Sequence, residues 1–393
     1  MSETEVLNKF LAGLSGLPDD IRRIKESFLT NVVMVSEIPA PTFHEEQRIE
    51  FLCNRFNETT GLLEISKDEK GNATALLPGE NGERSILVAA NADTVFGRDI
   101  DHTTSVKAGS INGVGLSDNS LAIGALITIP DLLEKLGIRL KSNLILTAAT
   151  QTLGKADMAG FNFFLDNFKT PIDAALCLRG SEIGRASYSS LGLLRGEIRI
   201  AFAEGQGWHR QNFPGAIVDM ESILHRILSI PVPQTPRTSI LLGSITAGAT
   251  FNTAPSRAKL RFEARSEDAD VVHRIERQID MVVQEVGAGT TASVEIDKIG
   301  RREPSSLPFS HPIVRVAQDV INGLGLKMRI RPSAGLISSI LPRNIPGLTL
   351  GLTERESSDE ERETMKIEPV FKGLAQVITL LKAIDDGLCY EQD

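Results

Sequence analysis

Five short segments carry side chains able to bind or react. Asn91-Ala-Asp-Thr-Val95 follows an apolar run at Ser85–Ala90, and a glycine-rich turn carries Gly113-Val-Gly-Leu-Ser-Asp-Asn119. Gln151-Thr-Leu-Gly154 follows Asn143–Thr150, Arg179-Gly180 follows Asp173–Leu178, and Thr353-Glu-Arg-Glu356 follows Leu348–Leu352. Ligands in an open α/β sheet sit beyond the carboxyl ends of the strands, so these segments should converge on one cleft. Within them Asp93 and Asp118 are acids, and Arg179 is a permanent cation. No G-x-S-x-G elbow or Walker loop is present, and Gly113-Val-Gly lacks the third glycine of a dinucleotide fingerprint. The three cysteines, Cys53, Cys177 and Cys389, are odd in number and lack C-x-x-C spacing. That excludes a disulfide scaffold and implies a reducing compartment. Cys177 ends a predicted core strand and reads as packing; the alternative is a thiolate activated by Arg179 two residues on. His44, His102, His225, His273 and His311 show no paired ligand spacing and read as surface or cap residues.

The elements that must position these residues follow from the apolar pattern. Residues 5–35 read as helix interrupted around Gly16–Pro18, and Ile38-Pro-Ala-Pro41 as a stiff extended break. Thr42 and Glu45 suggest a capping box opening a helix to about Phe56. Strands are predicted at Leu62–Ser66, Ala73–Leu77, Ser85–Ala90, Asn143–Thr150 and Asp173–Leu178, with helices near Ser120–Leu136 and Met158–Phe168. Apolar strands alternating with helices indicate an α/β layered sheet. From Gly192 the pattern changes to strand Gly196–Ala203, helix Gly215–Leu228, strands Thr238–Ser244 and Ala258–Ala264, helix Asp268–Val286 and strand Thr291–Ile299. This β-α-β-β-α-β order is the split-βαβ, ferredoxin-like arrangement, inserted into the first domain. Polar Lys298–Ser306 reads as the return linker. Helix His311–Leu324, strand Leu348–Leu352 and helix Pro369–Asp385 complete the large domain, giving boundaries of 1–188 with 303–393 and 189–302.

The chain has 393 residues, 41% hydrophobic and 24% charged, with a net charge of −9. Length suggests two or three domains, and the acidity disfavours a nucleic-acid partner, which needs a basic face. No apolar run reaches the ~18 residues of a membrane span. The first residues, MSETEVLNKF, are acidic where a secretory signal is basic. A cytoplasmic protein with no membrane partner is the expectation.

The landmarks Ile38-Pro-Ala-Pro41 with Glu45-Glu46, Gly71-Asn72, Asn91-Ala-Asp-Thr-Val95, Gly115-Leu-Ser-Asp-Asn119, Gly207-Trp-His209, Ala216-Ile217, Phe251-Asn252, Arg265-Ser266 and Ile345-Pro346 occur in an order and spacing that carry a resemblance. Over nearly its whole length the chain resembles the zinc-dependent exopeptidase and deacylase family of peptidase T, succinyl-diaminopimelate desuccinylase, aminoacylase and glutamate carboxypeptidase. The resemblance implies a large α/β domain with a mixed central sheet plus a ferredoxin-like lid and dimerisation domain, and a homodimer. It also implies two zinc ions that ionise a bridging water and polarise the scissile carbonyl. The implied ligands are a His in an HxDTV motif, a bridging Asp, a Glu from a Glu-Glu pair whose first member is the general base, an acid after the next strand, and a late His.

This chain departs from that pattern at almost every ligand. The motif His is Asn91, a poor zinc ligand. The bridging Asp survives as Asp118. The Glu-Glu pair falls on Gln151-Thr152, or on Thr150-Gln151 with a shifted gap, and neither supplies the general base. The next acid is Arg179, and the late His aligns with Ser358 or Asp359. Asp93 survives, with only Asn91 left to orient. Arg179 is expected to pair with Asp118 in place of the metal charge; the alternative is that it reaches solvent. On the substrate side, His209, Asn252 and Arg265 match family positions, and Arg179 is a further candidate substrate contact, able with His209 to receive an anion; the alternatives are an idle loop histidine for His209 and a structural salt bridge on a strand end for Arg265. The acidic run Glu354–Glu363 reads as a solvated loop rather than a metal site.

Three functions are compatible with these residues. The first is a pseudo-hydrolase without its zinc site that keeps a cleft for a small peptide or acylated amino acid, with no cofactor expected. The second is an active peptidase or deacylase with a rewired or single-metal site using Asp118, Asp93 and Asp359, the only reading that needs zinc. The third is an interaction protein acting through its dimer surfaces.

Overall fold

A computed structural model describes residues 13–14, 16–203, 215–359 and 361–391. The described residues divide into two compact units, one running to Ser189 and resuming at Ser306, the other spanning Ser190–Ser305.

The first unit is built on a seven-stranded mixed sheet. Its order is Leu63–Lys67, Ala73–Leu77, Asn143–Ala149, Ser85–Asn91, Ala174–Arg179, Gly347–Gly351 and Ala186–Ser187. Four strands of this order, Asn143–Ala149 to Gly347–Gly351, run parallel to one another. The flanking pairs are antiparallel. Strand parity explains the layering, because successive side chains point to opposite faces. Ile86, Val88 and Ala90 enter one core, together with Leu144, Leu146, Leu176 and Leu178 and the helices Lys25–Ser36, Leu121–Lys135, Pro312–Gly323 and Glu368–Asp385. Leu87, Ala89, Ile145, Ala175 and Cys177 enter a second core with Phe161 and Phe164 of helix Ala159–Asn167. A sheet covered on both faces reads as unbroken apolar strands, which is why these strands were legible.

Register aligns the carboxyl ends. Asn91 lies opposite Ala149, and Arg179 opposite Gly351. A second, four-stranded antiparallel sheet in this unit comprises Arg355–Ser358, Arg362–Lys366, Ser110–Val114 and Ser105–Val106. The acidic run expected to be a solvated loop is thus largely a hairpin, and Gly113 lies in a strand with the turn beginning at Gly115, where φ is +60°.

The other unit runs strand Gly192–Ala201, helix Ala216–Leu228, strands Thr238–Ala247 and Arg257–Ser266, helix Ala269–Gly289 and strand Ser293–Arg302. Its antiparallel sheet places Arg257–Ser266 and Gly192–Ala201 centrally, with Thr238–Ala247 and Ser293–Arg302 at the edges. The last strand continues to Arg302, so much of the predicted linker is strand.

One local expectation is extended and one corrected. A helix starts at Leu17, at the expected interruption, with Pro18 in its first turn, where a missing N–H costs nothing, and a further break follows at Arg23–Ile24, before helix Lys25–Ser36. The capping box does not form: helix Glu46–Glu58 starts without a side-chain cap. Thr42 and Glu45 are drawn to other partners, described below.

One glycine fixes the rim of the sheet's carboxyl end. A Cβ on Gly351 would overlap the carbonyl oxygens of Ser181 and Glu182, which are backbone and cannot swing aside. Gly351→Ala should therefore cost about 1–3 kcal/mol through overpacking and lower the Tm. An unchanged Tm would show that the 181–182 backbone yields.

Candidate functional site

The segment after strand Ser85–Asn91 holds a buried carboxylate. Asp93, 1% exposed, accepts from the Thr42 hydroxyl at 2.9 Å, from the backbone N–H groups of Thr152 at 2.8 Å and Leu153 at 3.0 Å, and from the Thr152 hydroxyl. Thr152 Oγ1 in turn accepts from the Asn91 side-chain amide. Asp93 therefore orients Thr152, and Thr152 orients Asn91. The expectation that Asp93 had only Asn91 to orient is corrected by this relay.

Glu45 is buried beside it. Its Oε1 accepts from the Gln151 backbone N–H at 2.8 Å. Gln151 adopts φ +51°, and its side-chain amide donates to the Lys70 carbonyl at 3.2 Å. The cation facing these acids is Arg48, among the largest fully buried side chains. It donates to the carbonyls of Ile38 at 2.6 and 3.1 Å and of Ala92 at 3.0 Å. Burial pushes the Arg48 guanidinium down to about 10, against Asp93 and Glu45, which hold it up. Burial likewise raises both carboxyls above their ordinary values. Hydrogen bonds from Thr152, Thr42 and Leu153 offset part of the rise at Asp93, and the Gln151 N–H part of that at Glu45, where the Asp93 charge adds to it.

The second cluster faces solvent. Arg179 donates to Asp118 Oδ2 at 3.1 Å, and its Nε lies 3.4 Å from Ser181 Oγ. The expected pair forms, but Asp118 is 62% and Arg179 33% exposed. An ion pair in that setting contributes about 0–1 kcal/mol, not the ~3–5 kcal/mol lost on breaking a buried one. Asn119 positions the pair: its amide donates to the Leu178 carbonyl at 3.2 Å and its oxygen accepts from the Gly180 N–H at 3.1 Å. Glu363, from the hairpin, accepts from the Ser117 N–H at 2.8 Å and from its hydroxyl.

Beside Arg179 opens a cleft of about 550 Å³ lined by Arg179, Ser181, Glu182, Arg185, Arg329, Glu354 and Arg355. The sequence places Arg355 in the post-strand segment Thr353–Glu356 and gives Arg185 and Arg329 no motif of their own. Arg185 lies just past strand Ala174–Arg179, which was a usable signal; Arg329 lies in an irregular segment that gave none.

The remaining positions are less converged. Asp359 is exposed and its N–H bonds the Arg362 carbonyl at 2.8 Å; the Ser358 backbone pairs with Glu363. Asn252 and Arg265 belong to the unit Ser190–Ser305, where Asn252 is exposed and Arg265 pairs with Glu263, which also holds Arg195. His209 lies outside the described residues. Cys177 is 2% exposed in the core and burial drives its thiol pKa upward, so the reactive-thiolate alternative does not stand. Among the described residues no group of three or more His, Cys, Asp or Glu side chains is arranged to hold a metal ion, and no helix is long and apolar enough to cross a membrane.

Comparison with solved structures assigns the fold. A tripeptidase from Staphylococcus aureus matches with a TM-score of 0.73 at 18% identity, over 92% of this chain and 99% of that one. Human carnosine dipeptidase 1 matches with a TM-score of 0.75 at 11% identity, over 95% and 100%. A dinuclear metal-binding peptidase of the M20 family from Bacillus subtilis matches with a TM-score of 0.62 at 13% identity, over 93% and 99%. The chain has the fold of the M20 metallopeptidases, in agreement with the resemblance read from its sequence. No protein-family model and no curated protein matches the sequence.

The buried acids make a pH prediction. A carboxyl whose folded-state pKa is raised loses stability as pH climbs from the unfolded value through the folded one. Glu45→Gln keeps an acceptor for the Gln151 N–H and removes that titration. The Tm of the variant relative to the parent should rise with pH from the ordinary glutamate value of 4.5 upward, then level off. A Tm difference flat from about pH 4 to pH 8 would rule this out.

Proposed function

We propose that this protein is a homologue of the M20 peptidases and deacylases that has given up the dinuclear zinc site and retains a cleft for a peptide or an N-acyl amino acid. The observation that carries the reading is pairwise closure. Asn91 is hydrogen-bonded to Thr152, and Arg179 is paired with Asp118. Four of the expected ligand positions are thus satisfied in pairs, each residue by another of the four.

The donor set does not fit a zinc pair. Zinc takes imidazole, thiolate or carboxylate donors. These positions offer an amide, a hydroxyl, a guanidinium and one carboxylate already engaged by that guanidinium. A general base is lacking too, because the Gln151 amide is a donor to the Lys70 carbonyl. The other retained acid, Asp93, is buried and already accepts four hydrogen bonds, which leaves it unsuited to activating a water. This disfavours the rewired-hydrolase alternative.

Self-association belongs to the same reading. The edge strand Thr238–Ala247 exposes Leu241 and Ile245, an apolar edge of the kind that pairs with another chain. Light scattering should give twice the 42.7 kDa chain mass, and a single-chain mass would refute the dimer.

Zinc counting tests the central claim. Untagged protein incubated with excess zinc, desalted and analysed by mass spectrometry should retain close to none, and should leave dipeptides and N-acyl amino acids intact. One or two tightly held ions per chain would overturn the reading.

A further inference from the structure

The arginine-lined cleft is unusual for a ligand pocket. Its volume of about 550 Å³ is in the range for small-molecule sites. Such sites are mostly apolar, whereas this one is lined by four arginines, two glutamates and a serine. A ligand held there gains little from apolar burial and must be recognised by charge.

The donors are not used up by the acids. Glu182 is occupied on both oxygens, by Arg185 on one and by Arg331 at 3.3 Å on the other. Burial raises the Glu182 carboxyl, and the guanidinium groups of Arg185, Arg179 and Arg331 overcome that and hold it below its ordinary value. Glu354 is engaged by Lys366 at 2.9 Å. Arg179 spends one terminal nitrogen on Asp118 and its Nε on Ser181, and Arg355 spends one terminal nitrogen on Glu363. Among the described residues the Arg329 side chain has no ion pair or hydrogen bond, although its backbone is fixed by bonds to Gly184 and Ala186. Each guanidinium carries five N–H donors, so Arg179, Arg355 and Arg329 present open donors around one space. Planar forks of this kind match carboxylate and phosphate oxygens.

We infer that this cleft binds a small multivalent anion, with Arg329 and Arg355 as specificity-determining contacts and Arg179 as the contact nearest the sheet. The inference rests on the proposed reading only in treating the carboxyl end of the sheet as a ligand site; it does not depend on the loss of zinc. The shared chemistry is two or more negative charges on oxygen, supplied by a polycarboxylate or by a phosphate.

Isothermal titration of the full chain with citrate, succinate, inorganic phosphate and acetate, at fixed ionic strength, tests it. Saturable one-to-one binding is expected for at least one multivalent anion and not for acetate, and citrate against phosphate identifies the source. Arg329→Gln and Arg355→Gln should each weaken that binding about tenfold, equivalent to ~1.4 kcal/mol. Both side chains are exposed, so the variants should keep the parental Tm, which verifies folding. No saturable binding of any multivalent anion, or binding that both variants leave unchanged, would overturn the inference. Zinc retention with anion binding intact would instead sink the proposed function and spare this one.

Discussion

A fully buried guanidinium, with two buried carboxylates in its field, ties together segments at the carboxyl end of the sheet. Arg48 is enclosed by protein and bonds the Ile38 and Ala92 carbonyls, so it ties the extended segment before its own helix to the end of strand Ser85–Asn91. Glu45 and Asp93 then reach across to the N–H groups of Gln151, Thr152 and Leu153. Three chain segments are thus held by one set of charges. Removing Arg48 would leave the Ile38 and Ala92 carbonyls without these donors, and a buried acceptor left unsatisfied costs about 1–3 kcal/mol. The network is structural, and its members are not available to a ligand.

The Asp118–Arg179 pair has the opposite character. Solvent screens it, and its contribution of at most about 1 kcal/mol makes it easily exchanged. A ligand anion need offset little to draw donors from Arg179. Asn119 and Glu363 carry the positioning load instead, by fixing the Ser117–Gly180 backbone around the pair. Rigid backbone with a weakly committed cation on it suits binding better than a stiff ion pair would.

The sequence disclosed the fold where burial was two-sided. Strands such as Ser85–Asn91 and Asn143–Ala149 carry runs of consecutive apolar residues because both faces are covered. It concealed the hairpin Arg355–Ser358 and Arg362–Lys366, whose polar, part-exposed residues have no period to read. The aligned positions Asn91, Thr152 and Arg179 were visible because they follow strong strands, and Asp118 because it lies in a glycine-rich turn. Their bonding was not, since the Asn91–Thr152 contact spans 61 residues, as does that of Asp118 with Arg179. The Thr42–Glu45 motif misled for an instructive reason. Its side chains suit a helix cap, but an exposed cap is worth only about 1 kcal/mol, less than satisfying a buried Asp93 and the Gln151 N–H.

The proposed loss of the zinc site changes the chemistry in a consistent direction. A zinc pair both attracts a carbonyl or carboxylate and ionises a bound water, because the metal lowers the pKa of the water it holds. A guanidinium offers the first property without the second: it donates hydrogen bonds to oxygen anions but has no coordination position at which water could be ionised. On the proposed reading, Arg179, beside Arg185, Arg329 and Arg355, supplies positive charge at the carboxyl end of the sheet without generating a nucleophile. Retaining the acids without metal would have reversed that potential and repelled an anionic ligand. On the proposed reading, cations in the cleft, with Asp93 buried and Asp118 paired, serve recognition and not hydrolysis.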